Sequence, residues 1–200
     1  MRNSRIIAPK MFRRAGHLEL SNLEFTDAKE TLWDCSEVVL KNCSIENGDY
    51  LFMNSSALTV DSLKLNGNYS FQNCKNVRIT NSVLDSKDAF WETENVTAEN
   101  TTLNGEYLGW HSKHLTLINC TITGTQPLCY AEDLTLVNCQ FGDDCDLAFE
   151  YSTLNATIRG TLVSIKNPIS GCITMDQNCQ IILDQYVRAP NSCKIEVKNV

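Results

Sequence analysis

Asp88, Glu92 and His111 are the residues of this 200-residue chain that could move a proton. They sit among rings and amides: Tyr50, Tyr69, Tyr107, Trp110 and Tyr130, with Asn73 and Glu150 alongside. A carboxylate and an imidazole one repeat apart, as Glu92 and His111 are, can share a proton. Two carboxylates flanking a glycosidic bond would hydrolyse it. Asp88 and Glu92, however, lie four strand residues apart, about 13 Å, beyond the roughly 6.5–9.5 Å of an inverting pair. No carboxylate stands at either matching position one repeat on. These residue types favour binding over turnover, because rings stack on sugar faces while amides and carboxylates hold hydroxyls. The same rings, stacked on one another, would also stabilise the chain by about 0.5–1.5 kcal/mol per pair without any ligand. Both readings stay open at the level of sequence, as does the alternative of a polysaccharide lyase or glycoside hydrolase acting on this face.

What must position these residues is a repeat. The phrase apolar-x-apolar-x-Asn-small-x-apolar returns eight times, its first apolar residue at Leu18, Val38, Leu58, Val77, Val96, Leu115, Leu134 and Leu154. The steps are 19 or 20 residues. Within one repeat, Leu115 and Leu117 alternate with polar residues as a strand does. Asn119 suits a left-handed corner. Cys120 and Ile122 form a second short strand, Thr123-Gly124-Thr125 turns, and Gln126 to Ala131 returns as a third. Three short strands per coil predict an all-β fold, a right-handed parallel β-helix, with coils over 1–160 and irregular C-terminal coils and a cap over 161–200. Stacked amides at Asn22, Asn42, Asn81, Asn100, Asn119 and Asn138, with Ser62 the exception, predict a hydrogen-bonded ladder at a buried corner. A leucine-rich repeat shares the period, but its Asn comes later and half of its repeat is helical or irregular.

Strand alternation in the third stretch places Glu30, Leu32 and Asp34, and the matching residues of each coil through Asp146, Ala148 and Glu150, on the outward face. On that reading the Phe column faces solvent and the Trp column faces the core, and a slip of one residue exchanges them. Thr97, Thr116 and Thr135 form an outward column elsewhere, the ordinary content of a strand and also of a flat ice-binding ladder.

The runs Glu30-Thr31-Leu32-Trp33-Asp34-Cys35, Asp88-Ala89-Phe90-Trp91, Gly105-Glu106-Tyr107-Leu108-Gly109-Trp110 and Leu147-Ala148-Phe149-Glu150-Tyr151-Ser152 occur in order over nearly the whole chain. In these the sequence resembles an uncharacterised bacterial family of pectate-lyase-like right-handed β-helices, a domain of unknown function. The resemblance implies the fold and no activity. The sequence departs from that family at its start: relatives carry further coils upstream, whereas Ala8 to Arg14 reads as the second half of a coil, as expected of either a fragment or a shorter true start. An incomplete first coil would leave open strand edges for self-association.

Composition narrows the partners. A net charge of −7 argues against binding a nucleic-acid backbone. No apolar stretch of signal-peptide or membrane-span length is present, so a cytoplasmic protein without membrane contact is expected. The ten cysteines fall into repeat columns (Cys43, Cys120 and Cys139; Cys35 and Cys74), as free thiols packed like small hydrophobes would in a reducing compartment. There is no CxxC pair, HExxH or Gly-rich phosphate loop, so neither a metal nor a cofactor is expected. Asp143-Asp144 resembles the double Asp of polygalacturonases but stands in an inserted polar turn. An oligosaccharide or a protein partner remains.

Overall fold

The computed structural model describes residues 1–198, and those residues form strands and turns with no helix. They build a parallel β-solenoid of about ten stacked coils. β1 (Arg2–Ile6) is followed by three long strands, β2 (Gly16–Phe25), β3 (Ser36–Ile45) and β4 (Ser56–Asn66). In the next three coils the same stretch divides at its corner, into β5 (Lys75–Thr80) and β6 (Val83–Asp85), β7 (Glu94–Glu99) and β8 (Thr102–Asn104), β9 (Lys113–Ile118) and β10 (Thr121–Thr123). It is continuous again in β11 (Leu134–Phe141) and β12 (Thr153–Gly160). These strands pair in parallel with the coils on either side, β1 with β2 alone among the described residues. The anchors Leu18, Val38, Leu58, Val77, Val96 and Leu115 lie in register, and Leu134 faces Leu154.

In the coils of β2 through β11 the corner between the two strand segments is left-handed. Asn22, Asn42, Asn81, Asn100, Asn119 and Asn138 have φ between 51° and 57°, and Ser62 has 56°. The amide ladder forms, with Asn138 Nδ2 donating to Asn119 Oδ1 at 2.7 Å and Asn22 to Asn3 at 2.9 Å. Beside Ser62 the rung is supplied by Asp61, which accepts from Asn81 at 2.8 Å. These side chains are exposed rather than buried, because the corner bends the backbone outward. A second left-handed corner, one residue before each anchor from Leu18 to Leu134 (His17, Glu37, Ala57, Asn76, Asn95, His114 and Asp133), carries no single residue type and was not readable in the sequence.

In the coils before β12 the third stretch is not a strand. It is a run of turns in which every second residue is left-handed: Tyr50 at φ 60°, Phe52 at 62° and Asn54 at 57°, with equivalents in the other coils. Such a conformation costs about 1–2 kcal/mol per non-glycine residue. Hydrogen bonds between coils offset it: the N–H of Tyr50 donates up the stack to Asn68 O, that of Phe52 down to Thr31 O, and that of Asn54 up to Gln72 O, at 2.8–3.1 Å. The turn leading into this run must pass very close to its neighbour. A Cβ on Gly124, at φ +106°, would lie 2.4 Å from the carbonyl oxygen of Gly105.

Inside the coils the columns are narrow and continuous. Leu23, Cys43, Leu63, Ser82, Thr101, Cys120 and Cys139 form one, and Phe52, Phe71 and Phe90 stack in another. All ten cysteines are free, seven of them buried. Buried hydroxyls and thiols of the column Cys35, Ser55, Cys74 and Ser112 donate to carbonyls of the turn run, as Ser55 Oγ does to Leu32 O at 2.9 Å. Stacking continues past Gly160: β14 (Ser170–Met175) pairs with β12, and β16 (Cys193–Val197) with β14. β13 (Ser164–Lys166) and β15 (Gln180–Ile182) form a small separate sheet.

Candidate functional site

The turn run sets the geometry of the face on which the candidate residues lie. Its alternating backbone does not alternate its side chains. In the coil of Tyr50 the sequence is half-buried Tyr50, buried Leu51 and Phe52, half-buried Met53, exposed Asn54 and buried Ser55. The column of Leu32, Phe52, Phe71, Phe90, Leu128 and Ala148, expected to face solvent, is therefore buried, and Trp33, Trp91 and Trp110, expected to face the core, lie at the surface. The expectation failed because a period of two belongs to extended backbone, which this stretch lacks.

The surface rings form two groups. Trp33 meets Tyr50 edge-on, and Tyr50 stacks on Tyr69 with centroids 4.7 Å apart and planes 11° from parallel. Further along the stack, Trp91, Tyr107, Trp110, His111, Tyr130 and Tyr151 form a second, continuous cluster. The indole N–H of Trp110 donates to Gln126 O on the next coil at 2.7 Å, which fixes the ring.

Between the groups the tyrosine column is interrupted. Tyr50 and Tyr69 occupy successive rungs, Asp88 takes the next, and Tyr107 the one after. The interruption opens a groove of about 410 Å³ bounded by Tyr69, Trp91, Tyr107 and Trp110, with Gln126 and Lys87 at its rim. Asp88 lines it and is only 3% exposed. Its carboxylate accepts no hydrogen bond from the described residues, and burial pushes its pKa up from the ordinary carboxylate value. Lys87 is committed elsewhere: its ammonium lies 3.2 Å from Glu106 and 5.2 Å from the centre of the Tyr107 ring, and the Glu106 contact raises its pKa.

Glu92 and His111 open on a different groove, shared with Asn73 and Lys75, and Trp91 borders the Asp88 groove and a neighbouring hollow that holds Glu92. They make no ion pair with each other among the described residues, and His111 instead stacks on Tyr130 at 5.0 Å. Asn73 extends an amide ladder by donating to Asn54 Oδ1 at 2.9 Å, and Asn54 donates to Asp34 at 3.3 Å. Glu150 pairs with Lys166 at 2.9 Å. An extra residue in that coil moves Tyr151, not Glu150, into line with Tyr130. A larger hollow, about 660 Å³, lies at the N-terminal corner, but it has no ring and its Arg5 is paired with Glu24. Thr97, Thr116 and Thr135 are in register and half-buried, with Arg78 preceding and Asn155 following them in the stack.

A family model described as protein of unknown function (DUF3737) matches residues 1–196. The chain belongs to that family. No curated protein and no solved structure matches it. In this DUF3737 protein, then, any reading of function rests on the site itself.

Of the residues singled out in the sequence, the fold brings Tyr69, Asp88, Tyr107 and Trp110 into one groove, with Tyr50 stacked behind Tyr69. It places Glu92, His111, Asn73, Tyr130 and Glu150 outside that groove. Trp91, Lys87 and Gln126 were missed as groove residues. Their signal was present: Trp91 and Trp110 recur at the same place in successive repeats, but the assumed alternation assigned that place to the core.

Proposed function

We propose that this DUF3737 protein is a non-catalytic carbohydrate-binding solenoid and that the groove at Asp88 is its binding site. A pectate-lyase-like, right-handed winding belongs to the same reading. One observation carries it: four aromatic side chains, Tyr69, Trp91, Tyr107 and Trp110, line one groove with a single carboxylate, Asp88. Rings with a few convergent polar groups are the usual lining of small-ligand sites. A lone acid without a partner for leaving-group or water activation supports holding a sugar rather than cleaving it.

The test is a thermal-shift screen against neutral, acidic and amino oligosaccharides, repeated on Tyr107→Ala. A ligand that binds the folded state raises the melting temperature by mass action. The reading expects a shift with at least one sugar class and its loss in Tyr107→Ala. No shift across the panel would reject it in favour of a scaffold for a protein partner. Self-association at β1, whose one strand partner among the described residues is β2, is checked in the same samples by light scattering.

A further inference from the structure

The carboxylate at the base of the groove distinguishes among sugars. Asp88 as a whole residue is only 3% exposed, and its carboxylate lines the groove and receives no hydrogen bond from the described residues. No sealed side-chain oxygen lacks a partner among the described residues, so this carboxylate keeps its opening to solvent through the groove, where a donor can reach it. The nearest cation, on Lys87, is matched by Glu106 at 3.2 Å, so the groove keeps one unmatched negative charge. The walls reinforce the preference for a positive guest, since aromatic faces are negative and attract cations, most strongly when desolvated.

The spacing of the walls bears on the shape of the guest. Tyr69 and Tyr107 stand two rungs apart, about 9.6 Å at the usual interval between stacked strands. A guest lying outside Asp88 at the rung that carries no ring would then lie about 4.8 Å from each tyrosine, within the 4.5–7 Å range of ring packing, on the side of Tyr107 that the Lys87 side chain leaves open. A saturated ring, thicker than an aromatic one, fills that interval without drawing the tyrosines together.

We propose that the groove binds an amino sugar, a pyranose held between Tyr69 and Tyr107 with its protonated amine at Asp88. Gln126 at the rim offers an amide to a ring hydroxyl. This inference rests on the carbohydrate-binding reading above and adds the charge of the ligand to it.

The experiment is calorimetric titration of the full chain with three β-1,4-linked tetramers, of glucosamine, N-acetylglucosamine and glucose, on the unaltered protein and on Asp88→Asn. Asn adopts the left-handed conformation of position 88 (φ 55°) at least as readily as Asp, and the melting temperature confirms that the variant is folded. The proposal expects the glucosamine tetramer to bind most tightly. It expects Asp88→Asn to weaken that tetramer by about 10- to 100-fold, the worth of a hydrogen bond to a charged group, and to leave the other two within about twofold. Equal binding of all three, or equal weakening of all three by Asp88→Asn, would overturn the amino-sugar assignment while leaving the groove a carbohydrate site. Failure of every tetramer to bind the unaltered protein would overturn both.

Discussion

His111 lies flat on Tyr130, with ring centroids 5.0 Å apart and planes 17° from parallel. The two residues occupy the same exposed column on successive coils, where Glu92 holds the preceding rung. The imidazole is thus engaged by a ring above it and has no carboxylate within ion-pair reach below it among the described residues. Glu92 and His111 line a common groove but form no direct ion pair among the described residues. Structural weight on this face falls on the rings.

A pair of substitutions should separate these roles. Glu92→Gln, at an exposed side chain, is expected to change unfolding free energy by less than about 0.5 kcal/mol. Trp110→Ala removes contacts with Trp91, Tyr107 and Tyr130 together with the hydrogen bond to Gln126 O. A loss of about 2–3 kcal/mol is expected for this half-buried indole. Urea denaturation of both variants measures the difference, and equal effects would contradict the assignment.

The inversion of the Phe and Trp columns makes its own prediction. Phe71 is fully buried, with its ring 5.2 Å from Phe52 and 5.5 Å from Phe90. Phe71→Ala should cost about 3–5 kcal/mol. Were the column on the surface, as strand alternation implies, the cost would stay below about 1 kcal/mol. The chemical midpoint of urea unfolding decides between these values.

The period was legible because stacking imposes it. Each anchor must meet the next, so Val38, Leu58 and Val77 repeat whatever the intervening residues do. The Asn corner was legible because few residues tolerate left-handed angles. The third side was not, because its left-handed positions are held by Tyr50, Phe52, Glu92, Leu128 and others with no common preference for that conformation. Hydrogen bonds between coils impose it, and they are invisible in one repeat considered alone. The groove was half-legible for the same reason: Tyr69, Asp88 and Tyr107 were placed on one face correctly, while Trp91 was assigned to the opposite one.

Gly124 tests the tight turn directly. Alanine there would bring Cβ to 2.4 Å from Gly105 O and to 2.9 Å from Glu106 N, both backbone atoms, at φ +106°. Neither neighbour can move without breaking the stack. Gly124→Ala is expected to cost about 2–4 kcal/mol, seen as a fall in melting temperature. The exposed loop residue Asp143, substituted in parallel by Ala, should leave it unchanged.

The thiols should divide by burial. Desolvation pushes Cys74, Cys129 and Cys145 up to about 12. At pH 8 these are neutral thiols out of solvent, and the thiolate is the reactive form. A chromogenic disulfide reagent added to native protein should therefore modify at most Cys172, Cys179 and Cys193, which are half-buried. Of these, Cys193 should be slow, its thiol raised to about 11 by burial and by Cys172. Addition of urea should release all ten. Rapid native labelling of more than three would show that the coils open locally.

Asp88 makes a prediction about stability that is independent of any ligand. Its pKa is raised in the folded chain, first by desolvation and then by Glu106, with Lys87 acting in the opposite direction. A carboxyl group raised on folding holds its proton longer in the native state than in the unfolded one. Stability therefore falls as pH climbs past the ordinary carboxylate value of 3.8, and the penalty is complete once the pH exceeds the folded pKa. Below 3.8 both states are protonated and the penalty vanishes. Asp88→Asn removes the ionisation. The variant should melt at a higher temperature than the unaltered protein at pH 7, and the gap should close as the pH is lowered through the carboxylate range. A gap of constant size from pH 3 to pH 7 would show that the substitution acts through packing. A lower melting temperature at pH 7 would show that the ionised carboxylate is favourably held, and the groove would then lack the unmatched charge on which the amino-sugar site depends.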